Sequence, residues 1–224
     1  FTMYEKYFSS VIKTFVKLYN EGLIYQGTRM INWDPIGQTA LSNEEVIYKE
    51  EKGNLWYLKY PIKDSNDYLT VATTRPETLF GDMAIAVNPK DSRYKSMIGK
   101  YALLPFVNRK LPIIGDEYVD MDFGTGCLKI TPGHDFNDYE VAERNDIPLY
   151  ALMDTKGNMR IDDALDNLVP IKYRGLSRSE ARKSVVDDID KLGLLIRIED
   201  KKVMQPFGDR SKVVIEPMLT DQWF

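Results

Sequence analysis

Tyr4, Phe8, Val11, Phe15 and Leu18 recur at the spacing of a helix, and Gly22 is placed to end it. Thr2-x-x-Glu5 ahead of them has the form of a capping box. The apolar stripe this helix would carry needs a partner. From Leu23 to Leu41 the chain reads as loop and short extended pieces around Asn32-Trp33-Asp34-Pro35. The pattern changes near Val46. Leu55–Tyr60, Tyr68–Thr73, Met83–Val87, Tyr101–Leu104, Lys110–Ile114 and Cys127–Thr131 are short runs rich in β-formers, broken by turn residues. One helix is expected from about Asn137 to Asn145. Another opens on a second capping-box pattern, Ser177-x-x-Glu180, carries Ala181, Val185, Ile189 and Leu192, and stops at Gly193. Leu194–Ile198 then reads as a strand returning to the sheet. Many short strands with irregular turns favour a barrel or sandwich over a βαβ series. The expectation is an α+β chain, rich in β-barrel structure, with a few peripheral helices.

Composition narrows the function. Thirty Lys and Arg against 34 Asp and Glu leave a net charge of -4, so any RNA contact must be local rather than a broad basic face. No apolar run approaches the roughly 18 residues of a membrane span. A single cysteine, Cys127, and a single histidine, His134, exclude an internal disulfide and a His-rich or multi-cysteine metal site, and no metal site is expected. A reducing, cytoplasmic setting follows. The chain starts at Phe1 and stops at Thr220-Asp221-Gln222-Trp223-Phe224 without a polar tail, which reads as a piece of a longer polypeptide.

Two segments concentrate chemistry. Thr73-Thr74-Arg75-Pro76-Glu77-Thr78 packs three hydroxyls and a guanidinium into six residues at a strand end. Taken alone it is equally a strand end with turn-forming threonines. Gly124-Thr125-Gly126 precedes a strand on which Lys129 and Thr131 face one side; Pro132-Gly133 turns the chain, and Asp135 and Asp138 fall at a helix start. N-capping accounts for both carboxylates equally well. Cys127 lacks a cysteine-protease signature around it, and His134 beside an aspartate reads as a structural hydrogen-bonder or as a base.

Together, Thr73–Thr78, Gly124–Gly126 and Thr131-Pro132-Gly133-His134-Asp135-Phe136-Asn137-Asp138-Tyr139-Glu140 resemble the editing domain of the valyl-tRNA synthetases, a class I aminoacyl-tRNA synthetase family. Ile31–Pro35, Thr39–Ser42 and Val214–Phe224 are similar to the family's flanking segments, so the likeness runs over essentially the whole chain. The resemblance implies an editing domain over 46–204, an N-terminal connecting segment from the catalytic core over 1–45, and a C-terminal one back to it over 205–224. It implies an ester hydrolase that removes threonine wrongly attached to the valine tRNA. Its partners would be the tRNA acceptor end and the rest of the synthetase in cis, with no membrane.

By the same resemblance Asp138 binds the substrate α-ammonium, while Asp135 and Lys129 read the threonine hydroxyl and order water. Thr73, Thr74, Arg75 and Thr78 surround the terminal adenosine and the scissile ester. Phe123, Gly126, Thr131 and His134 complete the substrate contacts. Gly133 stands where the family leads one to expect alanine, a change expected to be harmless. No cofactor is implied for editing; ATP and Mg belong to the aminoacylation core, whose HIGH and KMSKS signatures do not occur here. The alternatives are an isoleucyl- or leucyl-type editing domain, in which the His134-Asp135 pair with Lys129 is not expected, a tRNA-docking module without hydrolysis, or an unrelated small-molecule-binding barrel.

Overall fold

The computed structural model describes residues 4–162 and 168–224. Helix α1 spans Glu5–Asn20, with Tyr4 rather than Thr2 at its N-cap position, and Thr2 lies outside the described residues. Gly22 ends it as expected: at φ +71° it lets its own amide reach Tyr19 and the Leu23 amide reach Leu18, the paired bonds of a Schellman ending. None of the residues of α1 is buried. Part of its stripe does find a partner, since Phe15 and Tyr19 meet the Trp223 ring edge-on, with centroids 5.1 and 6.0 Å away.

The stretch read as loop is instead largely a strand. β1 (Gln26–Asp34) pairs antiparallel with β10 (Glu216–Trp223) over eight registers, from Gln26 opposite Trp223 to Trp33 opposite Glu216. β2 (Thr39–Leu41) completes this three-stranded sheet. The two flanking segments therefore meet in one ladder.

A second sheet has the order β4-β3-β9. β3 (Val46–Pro61) is its long central strand, β4 (Tyr68–Thr73) ends at the threonine-rich segment, and β9 (Leu195–Gly208) runs beyond the boundary expected at 204. Over Leu55–Leu58 β3 is buried on both faces, which is why its apolar residues run consecutively instead of alternating. The third sheet, β6-β7-β5-β8, comprises Tyr101–Leu103, Lys110–Gly115, Ala84–Val87 and Cys127–Ile130; β5 and β7 run parallel, and the other pairs antiparallel.

The α+β class stands, but the sheets do not close into a barrel. Among the described residues the second and third sheets are linked by a lone bridge, from Ile62 just past β3 to Ala102 of the edge strand β6, and no ladder joins β4 or β9 to β8.

The third sheet is covered on both faces, and this places the site. Ile85 and Val87 of β5 join the main core with Leu58, Tyr60, Val71 and Phe80. Ala84 and Ala86 join a smaller core with Ile130 and with Val141 and Ala142 of helix α2 (Phe136–Arg144). On β8 the same alternation sends Ile130 toward α2 and Cys127 toward the main core. Lys129, two residues from Cys127, is therefore carried on the inner face. Helix α3 (Arg178–Lys191) starts with the expected capping box and buries Ala181, Val185 and Ile189.

Candidate active site

A cavity of about 380 Å³ opens between the end of β4, the start of α2, β8 and the middle of β9. That lies within the size range of small-ligand sites. Thr73, Thr74, Arg75, Thr78, Phe123, Lys129, Thr131, His134, Asp135 and Asp138 all line it, so two segments some fifty residues apart share one cavity. Leu55, Leu128 and Lys201–Met204 supply its apolar and basic walls. Gly126 does not line it. With φ at +75° and a would-be Cβ only 2.6 Å from the Arg93 guanidinium, Gly126 answers to a tight backbone turn against Arg93.

Asp135 is the N-cap of α2: its Oδ1 accepts from the amides of Asn137 and Asp138 at 2.8 and 3.1 Å. Its second oxygen has no partner among the described residues. Asp138, three residues on, is buried and accepts the Thr131 amide on Oδ2 at 2.8 Å. Burial, and then the neighbouring Asp135, push the Asp138 carboxyl up to about 7, against the pull of Lys129.

Lys129 is buried too. Its ammonium donates to Thr78 Oγ1 at 3.1 Å, to Asp82 Oδ1 at 2.9 Å and to Thr131 Oγ1. Asp82 was not anticipated. It is fully buried and also accepts the Thr131 hydroxyl at 2.7 Å and the Tyr60 hydroxyl at 2.5 Å. The threonine-rich segment is partly self-supporting: Thr73 Oγ1 accepts the Arg75 amide, and the Thr78 hydroxyl donates to the Arg75 carbonyl. The Thr74 hydroxyl has no partner among the described residues.

Arg75 and His134 line the cavity, but their polar atoms are committed to the protein. Arg75 donates to Glu77 at 3.2 Å, to the His134 carbonyl at 3.0 Å and to Glu216 at 2.5 Å. Glu77 in turn receives both arms of Arg182, and Glu216 also receives Arg178 at 3.0 Å. His134 Nε2 accepts the Leu152 amide at 2.7 Å, so the ring proton sits on Nδ1 and is donated to Glu216 Oε1 at 3.1 Å. Burial pulls the imidazole below its ordinary pKa, which keeps it neutral. Of the two readings of His134, the structural one describes this geometry. Cys127 does not line the cavity, and burial raises its thiol to about 11, where it is inert as a nucleophile at neutral pH.

Gly133 is not a neutral replacement. A Cβ there would lie 1.8 Å from the Tyr150 carbonyl oxygen, in the segment whose Leu152 amide holds His134. Gly133→Ala is expected to cost about 1–3 kcal/mol through overpacking against backbone. Thermal melts check this; an unchanged melting temperature would show that the segment gives way freely.

Three acidic residues escaped the sequence reading: Glu77, Asp82 and Glu216. The only signal was their position. Glu77 lies inside the threonine-rich segment, Asp82 lies between the apolar Leu79-Phe80 and Met83-Ala84, and Glu216 sits in a flanking match.

Among known proteins, residues 1–224 match the model of the class I tRNA synthetases (I, L, M and V). A valine--tRNA ligase of Dechloromonas aromatica (strain RCB) is 52% identical over 214 residues, covering 96% of this chain and 22% of that protein. The chain thus spans about a fifth of this relative's length. A solved LeuRS from Agrobacterium radiobacter K84, in a ternary complex with tRNA and LeuAMS, aligns with 96% of this chain and 34% of its own at 18% identity, with a TM-score of 0.49. On the match over its full length and the close relative, this chain belongs to the class I tRNA synthetases of the I, L, M and V group.

Proposed function

We propose that this chain is the post-transfer editing domain of a valine--tRNA ligase and hydrolyses the ester of threonine misattached to the valine tRNA. The observation that carries this is the cavity itself, where a threonine-rich strand end faces two carboxylates and a hydroxyl fixed by a buried lysine. Valine and threonine are near-isosteres, and an apolar synthetic site rejects the extra hydroxyl only weakly. A second site that must pair a hydroxyl discriminates the other way, because valine leaves its polar groups unsatisfied.

The free oxygen of Asp138 takes the α-ammonium, and Asp135, with its uncommitted Oδ2, takes the side-chain hydroxyl. The Thr74 hydroxyl faces the terminal adenosine. An aminoacyl ester is already activated, so attack by a positioned water suffices, without a protein nucleophile or cofactor. Water adds to the ester carbonyl, the bond to the ribose oxygen breaks, and threonine and the free tRNA hydroxyl leave. The partners are the tRNA acceptor end and the remainder of the synthetase, in the cytoplasm. Among the described residues no helix is long and apolar enough to cross a membrane.

Incubating the chain with threonyl- and valyl-esters of the valine tRNA tests the reading. Faster loss of the threonyl ester is expected, and equal rates at the spontaneous level would sink it. Asp135→Ala is expected to shrink the threonyl-to-valyl ratio and, because Asp135 also caps α2, to cost about 0.5–2 kcal/mol. Lowered melting with an unchanged ratio would leave Asp135 as a cap alone.

A further inference from the structure

The three hydrogens of the Lys129 ammonium are all spent inside the protein, on Thr78, Asp82 and Thr131. Lys129 therefore has no donor left for a ligand. The Thr131 hydroxyl is equally constrained: its proton goes to Asp82 Oδ1 at 2.7 Å, and one of its lone pairs takes Lys129. Of these two side chains, only the second lone pair of Thr131 Oγ1 remains to face the cavity. Asp135, with one oxygen held by two helix amides and the other free, lines the same cavity. Both are acceptors. Asp82, entirely buried and steadied by the Tyr60 hydroxyl at 2.5 Å, is the group that sets this polarity. Without its carboxylate the Thr131 rotor and the Lys129 ammonium are free to turn donors toward the cavity.

Resting on the editing reading, we propose that Asp82 is a positioning residue for selectivity, which makes the side-chain subsite an acceptor-only surface that recognises the substrate by a hydrogen bond the substrate donates. The ligand class follows: aminoacyl esters whose β-substituent is a hydroxyl donor, not those whose β-substituent merely accepts.

The test uses three esters of the same tRNA, carrying threonine, valine and 2-amino-3-fluorobutyrate, whose fluorine has nearly the size of a hydroxyl but donates nothing. With the unaltered chain the fluoro ester is expected to be cleaved within about threefold of the valyl ester. A fluoro ester cleaved near the threonyl rate would overturn the proposal, since a protein donor would then be reading the side chain. In Asp82→Asn the threonyl kcat/KM is expected to fall about 10- to 100-fold while the valyl value stays within about threefold, a loss of selectivity that lowered stability does not produce. A folded Asp82→Asn with the original ratio overturns it as well. Should Asp82→Asn fail to fold, the fluoro ester on the unaltered chain decides alone. Failure to cleave the threonyl ester at all would remove the editing reading and this proposal together, whereas active cleavage with threonyl-like fluoro rates removes only the proposal.

Discussion

Asp138→Asn is expected to abolish most threonyl-ester hydrolysis while making the protein more stable at alkaline pH. The carboxyl is pushed up to about 7, chiefly because it is buried, so keeping it ionised costs folding free energy. A group whose folded pKa lies above its unfolded value contributes stability that is fully present below the unfolded value, near 4, and is lost as pH rises through about 7. Asparagine carries no such penalty, and its carbonyl oxygen still accepts the Thr131 amide that Asp138 accepts now. Part of the gain is offset by losing a carboxylate from the first turn of α2, worth about 0.3–1 kcal/mol. Raising the carboxyl from near 4 to about 7 corresponds to about 4 kcal/mol, so a net stabilisation on the order of 3 kcal/mol is expected at pH 8, smaller at pH 5 and shrinking toward zero near pH 4.

Function moves the other way. On the proposed role of Asp138, the variant removes a charge-assisted contact to the α-ammonium worth roughly 1.5–3 kcal/mol, an expected 10- to 150-fold drop in kcat/KM for any aminoacyl ester. In the unaltered chain the same titration should make ester binding strengthen as pH rises through about 7, until the substrate amine itself loses its proton. Melts across pH and deacylation rates at one pH decide the matter. A variant that is equally destabilised at pH 5 and pH 8 would show that Asp138 is not a strained carboxylate, and one with full activity would show that it does not meet the substrate.

What could be read in the sequence was whatever depends on neighbours in the chain. The run Tyr68–Thr73, the Ser177–Glu180 capping box and the ending at Gly22 are local patterns, and each appears at its expected place, whereas Leu55–Tyr60 is only the buried end of the longer strand Val46–Pro61. The cavity was legible for a related reason: its residues come as two dense local segments, and only their meeting had to be supplied. β1 was not legible, because Gln26–Asp34 has no clear alternation and becomes a strand by pairing with a segment nearly two hundred residues away. Closure of the sheets was misjudged for the same reason, since edge pairing is a non-local property. Isolated acids such as Asp82 and Glu216 look like surface charge until their burial is known. Gly126 was misassigned because a glycine reports close approach without saying of what; here it is a guanidinium.

Glu216→Gln is expected to have a large effect on stability from a position in the C-terminal flanking strand, β10. Its carboxylate is buried and lies between Arg75 and Arg178, with the His134 Nδ1 proton donated to it as well. Those partners, Arg75 foremost, outweigh burial and hold its pKa at about 2. Glutamine preserves the shape but not the charge, and it turns an amide donor toward a cluster made of donors. Arg75 keeps Glu77 as a counterion, but Glu77 is shared with Arg182, and Arg178 is left, among the described residues, with only the Val214 and Ile215 carbonyls. Breaking a buried pair by removing one partner costs about 3–5 kcal/mol. The arginine side chains retain 23–28% exposure, which reduces the figure to about 2–4 kcal/mol, or roughly 5–15 °C in melting temperature.

The pH signature separates this from a packing defect. Glu216 titrates below its unfolded value, so its contribution is present above about 4.3 and is lost as pH falls toward 2. His134, also depressed, adds a loss that begins as pH falls through about 6.5. The unaltered chain should therefore lose stability steadily in acid, and Glu216→Gln should flatten the part of that decline below about pH 4.5. Because Arg75 and His134 both line the cavity, the variant is also expected to weaken hydrolysis of threonyl and valyl esters alike, leaving their ratio within about twofold. Melts from pH 3 to 8, read beside both deacylation rates at a temperature where the variant is folded, test this. An acid limb as steep as that of the unaltered chain would show that Glu216 does not hold its charge against Arg75 and Arg178, and a collapsed ratio at unchanged stability would move Glu216 from the scaffold into the reading of the substrate.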